Sequence, residues 1–319
     1  MDMIRDRLVE DVLKAWGLEL GRVRGDIPIA GSPGRCEFRA VVEDEGSNLF
    51  VLENIRAASV DHKRRIARTL AFLADRGLPR VRAYLPSGDD EYLVFKNNSY
   101  WQLSPYVEGL PLRRPEYAFE GWRGPVLADF LADLWDRSRD VPFFERTSPF
   151  SIVAFIRDFT RTVERREPVL YLRIRPALVH LEQGFMSAHD RLPVRFCHGD
   201  YHPLNVIWSE TGVRAVIDWE FLGYKPELYD AAMMIGCLGM EDPQCLTGDL
   251  VFQFARSLKG SGQVAAASWA HLFDLVLAQR FAWLADWLKR SDAEMIELEA
   301  VYIKLLLDNR GVFTRSWEV

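Results

Sequence analysis

The chain has 319 residues, of which 49% are hydrophobic, and a formal net charge of −6 at pH 7. This length and apolar content suffice for a large core and favour two lobes or domains. The modest negative charge, without a basic stripe or a basic tail, argues against a nucleic-acid partner.

The sequence also argues against a membrane protein. No stretch approaches the roughly 18 apolar residues that a spanning helix needs, and residues 1–7 are too charged for a signal peptide. The cysteines are scattered without metal-ligand spacing and are expected to be reduced thiols. We therefore expect a cytoplasmic protein without a membrane partner. The cysteines are Cys36, Cys197, Cys237 and Cys245.

The amino-terminal third predicts helices and strands in alternation. Apolar residues recur every four positions and predict a first helix that ends near Gly17. Two apolar stretches, 35–42 and 48–55, flank a turn-like segment and predict a β-hairpin. A helix over about 59–76 follows. The residues with four-residue spacing in the first helix are Ile4, Leu8, Val12 and Trp16.

The later elements divide the chain into two lobes. Residues 92–95 and 100–103 predict a second hairpin, so residues 1–103 are interpreted as a small lobe with an antiparallel sheet. Residues 104–109 are interpreted as a hinge. From about residue 120 helical periodicity predominates, so 110–319 is interpreted as a mainly helical lobe that carries a further hairpin. The predicted fold class is α+β.

The most informative segment of the chain is that further hairpin. Asp200 is followed five residues later by Asn205, and Asp218 comes thirteen residues after that. Phosphoryl transfer from a metal-bound nucleotide needs a carboxylate to accept or orient the nucleophile's hydroxyl, and Asp200 is the candidate. Mg²⁺ prefers hard oxygen ligands, and Asn205 and Asp218 are the candidates. Gly199 lets the chain turn tightly beside Asp200.

The neighbouring sequence favours the convergence of the two candidate metal ligands. Residues 204–208 and 213–217 each predict a short strand, and Ser209-Glu210-Thr211-Gly212 predicts the turn between them. Asn205 and Asp218 would then lie at neighbouring ends of one hairpin.

These motifs resemble those of the aminoglycoside phosphotransferase family, which includes choline kinase, type II homoserine kinase and spore-coat kinase-like proteins. The resemblance rests on His198-Gly199-Asp200, Asn205 and Ile217-Asp218-Trp219-Glu220. It implies a protein-kinase-like bilobal fold, ATP or GTP, Mg²⁺, and a small hydroxylated acceptor in place of a protein. An amino alcohol, an amino acid, a sugar and an aminoglycoside are all compatible with it.

The resemblance also suggests where the nucleotide binds. In the family the hinge pairs adenine with backbone groups, which implies Ser104 and Tyr106 here; a plain interlobe linker is the alternative. Backbone N–H groups of Gly31, Ser32 and Gly34 are candidates for a phosphate nest, with a simple β-turn as the alternative.

Glu53 departs from the family pattern, because it occupies the position where most members carry a phosphate-binding lysine. Unit charges ~4 Å apart at an effective dielectric of ~20 interact by roughly 4 kcal/mol, so this exchange could cost on the order of 8 kcal/mol beside phosphate. Glu53 would need to pair with a cation of the next helix, where Lys63, Arg64 and Arg65 cluster, or help to hold a metal, unless the alignment is shifted. The rival interpretation is a catalytically impaired nucleotide-binding pseudokinase or a structural, spore-coat-like protein.

Several other residues have two interpretations. His202 is either part of the site or a loop histidine held by the backbone. Asp230 is interpreted as a structural cap at a helix start. Trp283 and Trp287, four residues apart, form either a stacking face for a sugar or a core stripe. Four acidic residues near the predicted cleft mouth favour a cationic acceptor, or else form a solvated surface. These acids are Glu220, Glu227, Glu241 and Asp242.

Overall fold

A computed structural model describes residues 2–29, 36–146 and 148–317 of the chain. The chain forms two compact units. The first contains Met1–Leu110 together with Ile207–Glu210 and Arg214–Glu220, and the second contains the remaining segments. The strands around residues 207–220, which the sequence boundaries had placed in the helical lobe, thus cluster with the amino-terminal residues.

The first unit is built around a five-stranded antiparallel sheet with the order β1-β2-β3-β5-β4. Its helices and strands are α1 (Asp2–Leu13), β1 (Leu20–Val23), β2 (Cys36–Asp44), β3 (Leu49–Ile55), α2 (Val60–Asp75), β4 (Val94–Lys96) and β5 (Ser99–Pro105). Both predicted hairpins and both predicted helices are confirmed. β1 was missed, because its four residues include Gly21 and Arg22 and lack an alternating apolar pattern.

One face of this sheet carries the hydrophobic core of the first unit. Apolar residues from β2, β3 and β5 pack against α1 because successive side chains of a strand point to opposite faces. The fully or nearly fully buried members of the cluster are Val9, Val12, Leu13, Val42, Leu52, Trp101 and Leu103. The opposite face of the same strands therefore carries the alternate residues, among them Glu53.

The second unit is mainly helical. Its helices are α3 (Arg123–Arg137), α4 (Ile152–Arg166), α5 (Pro168–Glu182), α6 (Phe185–Ala188), α7 (Tyr229–Glu241), α8 (Asp249–Gly260), α9 (Ala266–Trp269), α10 (Leu272–Arg290), α11 (Ala293–Asp308) and α12 (Arg310–Ser316). Residues 272–281 of α10 are buried, and the helix packs against α7, α11 and α4. The antiparallel sheet followed by helices confirms the predicted α+β class.

Two small two-stranded sheets interrupt the helices and lie next to the motif residues. β6 (Val194–Cys197) pairs with β9 (Gly223–Pro226), and β7 (Val206–Trp208) pairs with β8 (Val213–Val216). The predicted hairpin around residues 204–217 is therefore present. Asn205 comes directly before β7, and Asp218 comes two residues after β8.

Candidate active site

The loop between β6 and β7 is held in place by a buried carboxylate. Asp230, fully buried in the first turn of α7, accepts hydrogen bonds from the backbone N–H groups of His198 (2.7 Å) and Gly199 (2.8 Å). Burial raises the pKa of Asp230 and outweighs the opposing effect of these two donors, so that the pKa is about 6. Asp230 was expected to cap the start of its own helix. It instead holds the backbone of the loop at Gly199, which lies 31 residues earlier in the chain, and only the fold reveals that contact.

Gly199 is required by this clamp. Its φ is +86°, and an added Cβ would lie 2.0 Å from the backbone oxygen of Phe221. A side chain of any kind would therefore collide with the backbone, and the loop would have to move. The glycine predicted for a tight turn is thus needed both for its dihedral angle and for its lack of volume.

Asp200 and Asn205 contact each other directly. The Asn205 Nδ2 group donates to the backbone oxygen of Asp200 at 2.9 Å and to its Oδ2 atom at 3.1 Å. The amide oxygen of Asn205 is thereby turned away from Asp200. Since Asn205 is buried while the Asp200 side chain is partly exposed, the loop holds the amide rigidly and leaves the carboxylate accessible.

Two histidines influence the charge of Asp200. Its backbone N–H lies 3.2 Å from His198 Nδ1, and its Oδ2 atom lies 3.7 Å from His202 Nε2. Burial works to raise the pKa of Asp200, but His202, His198 and the Asn205 amide more than offset it, so that the pKa is lowered. Asp200 is therefore ionised at neutral pH, with the His202 imidazole beside its carboxylate and the His198 imidazole beside its backbone N–H.

The loop is anchored to α3 through Tyr201. This side chain is fully buried, stacks on Phe130 with 5.5 Å between ring centroids, and donates its hydroxyl to the backbone oxygen of Leu127 at 3.1 Å. With Asp230 on the other side, the residues before and after Asp200 are fixed. The sequence analysis missed Tyr201, since a tyrosine in a loop carries no signal of its partner.

An aromatic face lies next to the loop within the second unit. The rings of His202 and Trp283 are 6.4 Å apart, and Trp283 stacks on Trp287 with 5.7 Å between centroids. Both indoles are half-buried rather than fully buried. Trp283 also packs against the core cluster of Cys197, Tyr229 and Met233, so the pair is partly a core feature, and its contact with an acceptor stays a prediction. Below them α10 and α11 are joined by Arg280 and Glu299.

Asp218 belongs to the first unit and is exposed, with a φ of +60°. The following residues are firmly held. The Trp219 indole donates to the Val216 backbone oxygen at 2.9 Å, and Glu220 forms a buried ion pair with Lys63 of α2. His62 Nε2 also lies 2.8 Å from the Glu220 backbone oxygen. The role of Asp218 beside Asn205 stays a prediction.

Glu53 is buried in β3 and forms its ion pair with Arg39 rather than with a cation of α2, although its charge also helps to raise the pKa of Lys63 on that helix. Its carboxylate lies 3.2 Å from Arg39 Nε, and Arg39 is its register partner on β2. Lys63 is instead paired with Glu220. The cation that neutralises Glu53 therefore comes from the neighbouring strand, because antiparallel register places those two side chains opposite each other.

The remaining candidates for nucleotide binding are only partly described. The Tyr106 N–H donates to the Leu49 backbone oxygen at 2.9 Å, which leaves its carbonyl as the group able to meet a base. Ser104 lies on β5 opposite Val51. Their contact with adenine stays a prediction. The predicted phosphate nest of Gly31, Ser32 and Gly34 lies outside the described residues.

The four acidic residues proposed at the cleft mouth all have partners. Glu227 is almost fully buried and contacts Arg195 at 3.2 Å, and Glu241 pairs with Arg114 at 2.8 Å. The Asp242 side chain accepts from a backbone N–H at the start of the next turn, and Glu220 pairs with Lys63. The charges of Glu220, Glu227 and Glu241 are therefore balanced by cations, whereas Asp242 accepts from a backbone donor.

The described residues contain neither a helix suited to a bilayer nor a cluster of three metal-binding side chains. Within 2–29, 36–146 and 148–317, no helix is both long and apolar enough to cross a bilayer. In this part of the chain no three His, Cys, Asp or Glu side chains group as a metal site either. The predicted metal ligands Asn205 and Asp218, one amide and one carboxylate, would not form a cluster of three such side chains.

Comparisons with known proteins identify a family and a fold. The family model described as APH, phosphotransferase enzyme family, matches residues 34–255. An aminoglycoside phosphotransferase from Alicyclobacillus acidocaldarius has a TM-score of 0.67 at 14% identity, with 96% of this chain and 94% of that chain covered. The GDP complex of aminoglycoside 2'-phosphotransferase-IIIa has a TM-score of 0.68 at 15% identity, with 97% of this chain and 99% of that chain covered.

A third solved structure extends the same likeness. The amicoumacin kinase hAmiN in complex with AMP-PNP, Ca²⁺ and Ami has a TM-score of 0.66 at 12% identity, with 95% of this chain and 93% of that chain covered. No curated protein matches the chain. The structural likenesses show the fold, which is the protein-kinase-like fold that the sequence predicted.

Proposed function

This chain belongs to the phosphotransferase enzyme family, and from that membership we propose that it transfers the γ-phosphoryl group of ATP, with Mg²⁺, to a hydroxyl of a small molecule. The observation that carries the proposal is the direct bond between Asn205 and Asp200 in a loop clamped by Asp230. A loop fixed in this way is preorganised for positioning a nucleophile.

Asp200 is proposed as the group that orients the acceptor hydroxyl and receives its proton. Its lowered pKa keeps it ionised at neutral pH, so that it can accept a hydrogen bond from the hydroxyl. The proton leaves the acceptor oxygen as that oxygen bonds to phosphorus, and the bond from phosphorus to the bridging oxygen of ADP breaks. His202, 3.7 Å away, is the neighbour best placed to adjust the basicity of Asp200.

Asn205 and Asp218 are proposed as the metal ligands. The Asn205 amide uses its nitrogen on Asp200, so its oxygen is the atom that suits a hard cation. Asp218 is exposed and carries a carboxylate. When bound, Mg²⁺ would neutralise charge on the nucleotide phosphates.

The aromatic face of His202, Trp283 and Trp287 is proposed to meet the acceptor. Stacked indoles suit the flat face of a ring and also attract an ammonium group. Since the four acidic residues considered earlier all have partners, support for a cationic acceptor now comes from these rings alone. A sugar-like acceptor has equal support.

The test is a panel of amino alcohols, amino acids, sugars and aminoglycosides, assayed for ADP release with and without Mg²⁺ and for phosphorylated product by mass spectrometry. With an acceptor found, Asp200→Asn is expected to lower turnover by roughly 10²- to 10⁴-fold with little change in ATP binding. Asp158→Asn, an exposed carboxylate paired with Arg161 in the second unit, is the control.

The outcomes separate the candidate functions. Unchanged turnover in purified Asp200→Asn would reject the catalytic assignment. Tight ATP binding without transfer to any member of the panel would favour the pseudokinase, which the buried Glu53 in the lysine position first suggested. Absence of nucleotide binding would favour a structural role.

A further inference from the structure

Lys225 is a buried lysine that the proposed function leaves unused. It lies on β9, is 6% exposed, and in the described part of the chain no carboxylate forms an ion pair with it. Its register partner on β6 is another cation, Arg195, which pairs with the neighbouring carboxylate of Glu227. Burial lowers the pKa of Lys225, although Cys197 and Asp230 oppose this shift. An ammonium group buried without a direct counter-ion is unfavourable by itself, so its contacts indicate its role.

The ammonium group of Lys225 holds one backbone oxygen. Its Nζ atom donates to the Phe221 backbone oxygen at 2.6 Å, and it lies 5.5 Å from the ring centroids of Phe150 and Tyr229. The two rings attract a cation through their faces but are not hydrogen-bond acceptors of the ordinary kind. Among the described residues the Phe221 oxygen is therefore the one acceptor that this buried donor meets.

The same oxygen forms the surface against which Gly199 packs. A Cβ on Gly199 would lie 2.0 Å from the Phe221 oxygen, so the two backbones are in direct contact. The Gly199 N–H is in turn held by Asp230, which accepts it at 2.8 Å. Gly199 therefore lies between a carboxylate that accepts its N–H and a carbonyl that Lys225 holds in place. The next residue along the chain is Asp200.

We infer that Lys225 is a positioning residue for the proposed reaction, which it serves by holding the Phe221 carbonyl against Gly199. The loop that carries Asp200 is then fixed on two sides, by the Asp230 carboxylate and by the Lys225 ammonium. The inference rests on the proposed function, because that function gives Asp200 its place beside the acceptor hydroxyl. Lys225 acts through the Phe221 backbone and needs no contact with acceptor or nucleotide.

The first test measures hydrogen exchange of the His198 and Gly199 amides by NMR, since it needs neither nucleotide nor acceptor. Lys225→Met removes the ammonium and leaves an unbranched apolar side chain among the rings. Exchange of both amides is expected to accelerate about tenfold or more, the equivalent of one lost hydrogen bond to a charged group. The control amide is that of Met295, which donates to the Asp292 side chain at 3.1 Å and should exchange as in the wild type.

The second test measures kcat and KM once an acceptor is known. Lys225→Met is expected to lower kcat about 10- to 100-fold and to leave the KM for ATP within about threefold, because a displaced loop misplaces the reacting group. Lys225→Met with Gly199→Ala should lose less than the product of the two single losses, since both change one contact. Trp317→Phe is the control and should keep the wild-type kcat, because it removes a buried donor to the Leu246 backbone oxygen, outside the loop and β9.

A second variant covers the case in which Lys225→Met does not fold. Lys225→Gln has a shorter side chain that stays polar, and it should produce the same changes in exchange and in kcat. Unchanged exchange of the two amides in a folded variant, or a raised KM with an unchanged kcat, would overturn the inference and leave the proposed function intact. Single losses that multiply in the double variant would do the same. Accelerated exchange beside a wild type that phosphorylates no acceptor would support the hold on the loop and overturn the proposed function alone.

Discussion

Replacing Gly199 with alanine tests whether the loop geometry sets activity. An alanine Cβ would lie 2.0 Å from the Phe221 backbone oxygen, and real contacts of this kind are not shorter than 3.0 Å. The loop must therefore move by about 1 Å, and a displacement of that size next to the reacting group can lower turnover about 10²-fold. The left-handed backbone of Gly199 adds roughly 1–2 kcal/mol of strain for any residue with a Cβ.

The assay pairs turnover with thermal unfolding of the same preparations. Gly199→Ala should lower both turnover and the unfolding temperature. Gly212→Ala is the control, because its Cβ would meet no atom within 4 Å and its φ is not positive. Turnover that stays within about threefold of wild type in Gly199→Ala would refute the claim that the clamp positions Asp200.

The other two predictions concern buried charges in the second unit. The Asp230 carboxyl has a pKa of about 6 in the folded protein against an ordinary 3.8. Folding therefore takes up a proton between these pH values, and this group's contribution to stability falls by about 3 kcal/mol in total from well below pH 3.8 to well above pH 6. The Asp230→Asn variant should not show this fall in stability when its free energy of unfolding is measured by denaturant titration at several pH values. An equal fall in the wild type and in the variant would contradict the assignment of the pH dependence to Asp230. Glu299→Ala should lower the free energy of unfolding by about 3–5 kcal/mol, because it leaves the buried Arg280 without its two-bond partner. Glu299→Leu with Arg280→Met should restore most of the loss, and a cost below about 1 kcal/mol for Glu299→Ala would show that the pair matters little.

The sequence by itself determined the fold class, most strands and helices of the first unit, and the hairpin that follows Asn205. The hydrogen bonds between Asn205 and Asp200 came from the structure, although the two residues are only five apart in one loop. The α1 helix and the two hairpins follow from apolar periodicity, which acts within a few residues. The strand β1 was not predicted, because its four residues include a glycine and an arginine and show too little apolar periodicity to indicate a strand.

Only the tertiary structure decided which residues distant in the sequence meet within each unit. Asp230 reaches back to Gly199, Arg39 neutralises Glu53, and Lys63 pairs with Glu220 far along the chain. None of these contacts has a sequence signal, because each depends on strand register or on how a helix packs. The sequence marks where charged side chains occur, and packing determines which opposite charge each one meets, since a buried charge is stable only beside a partner.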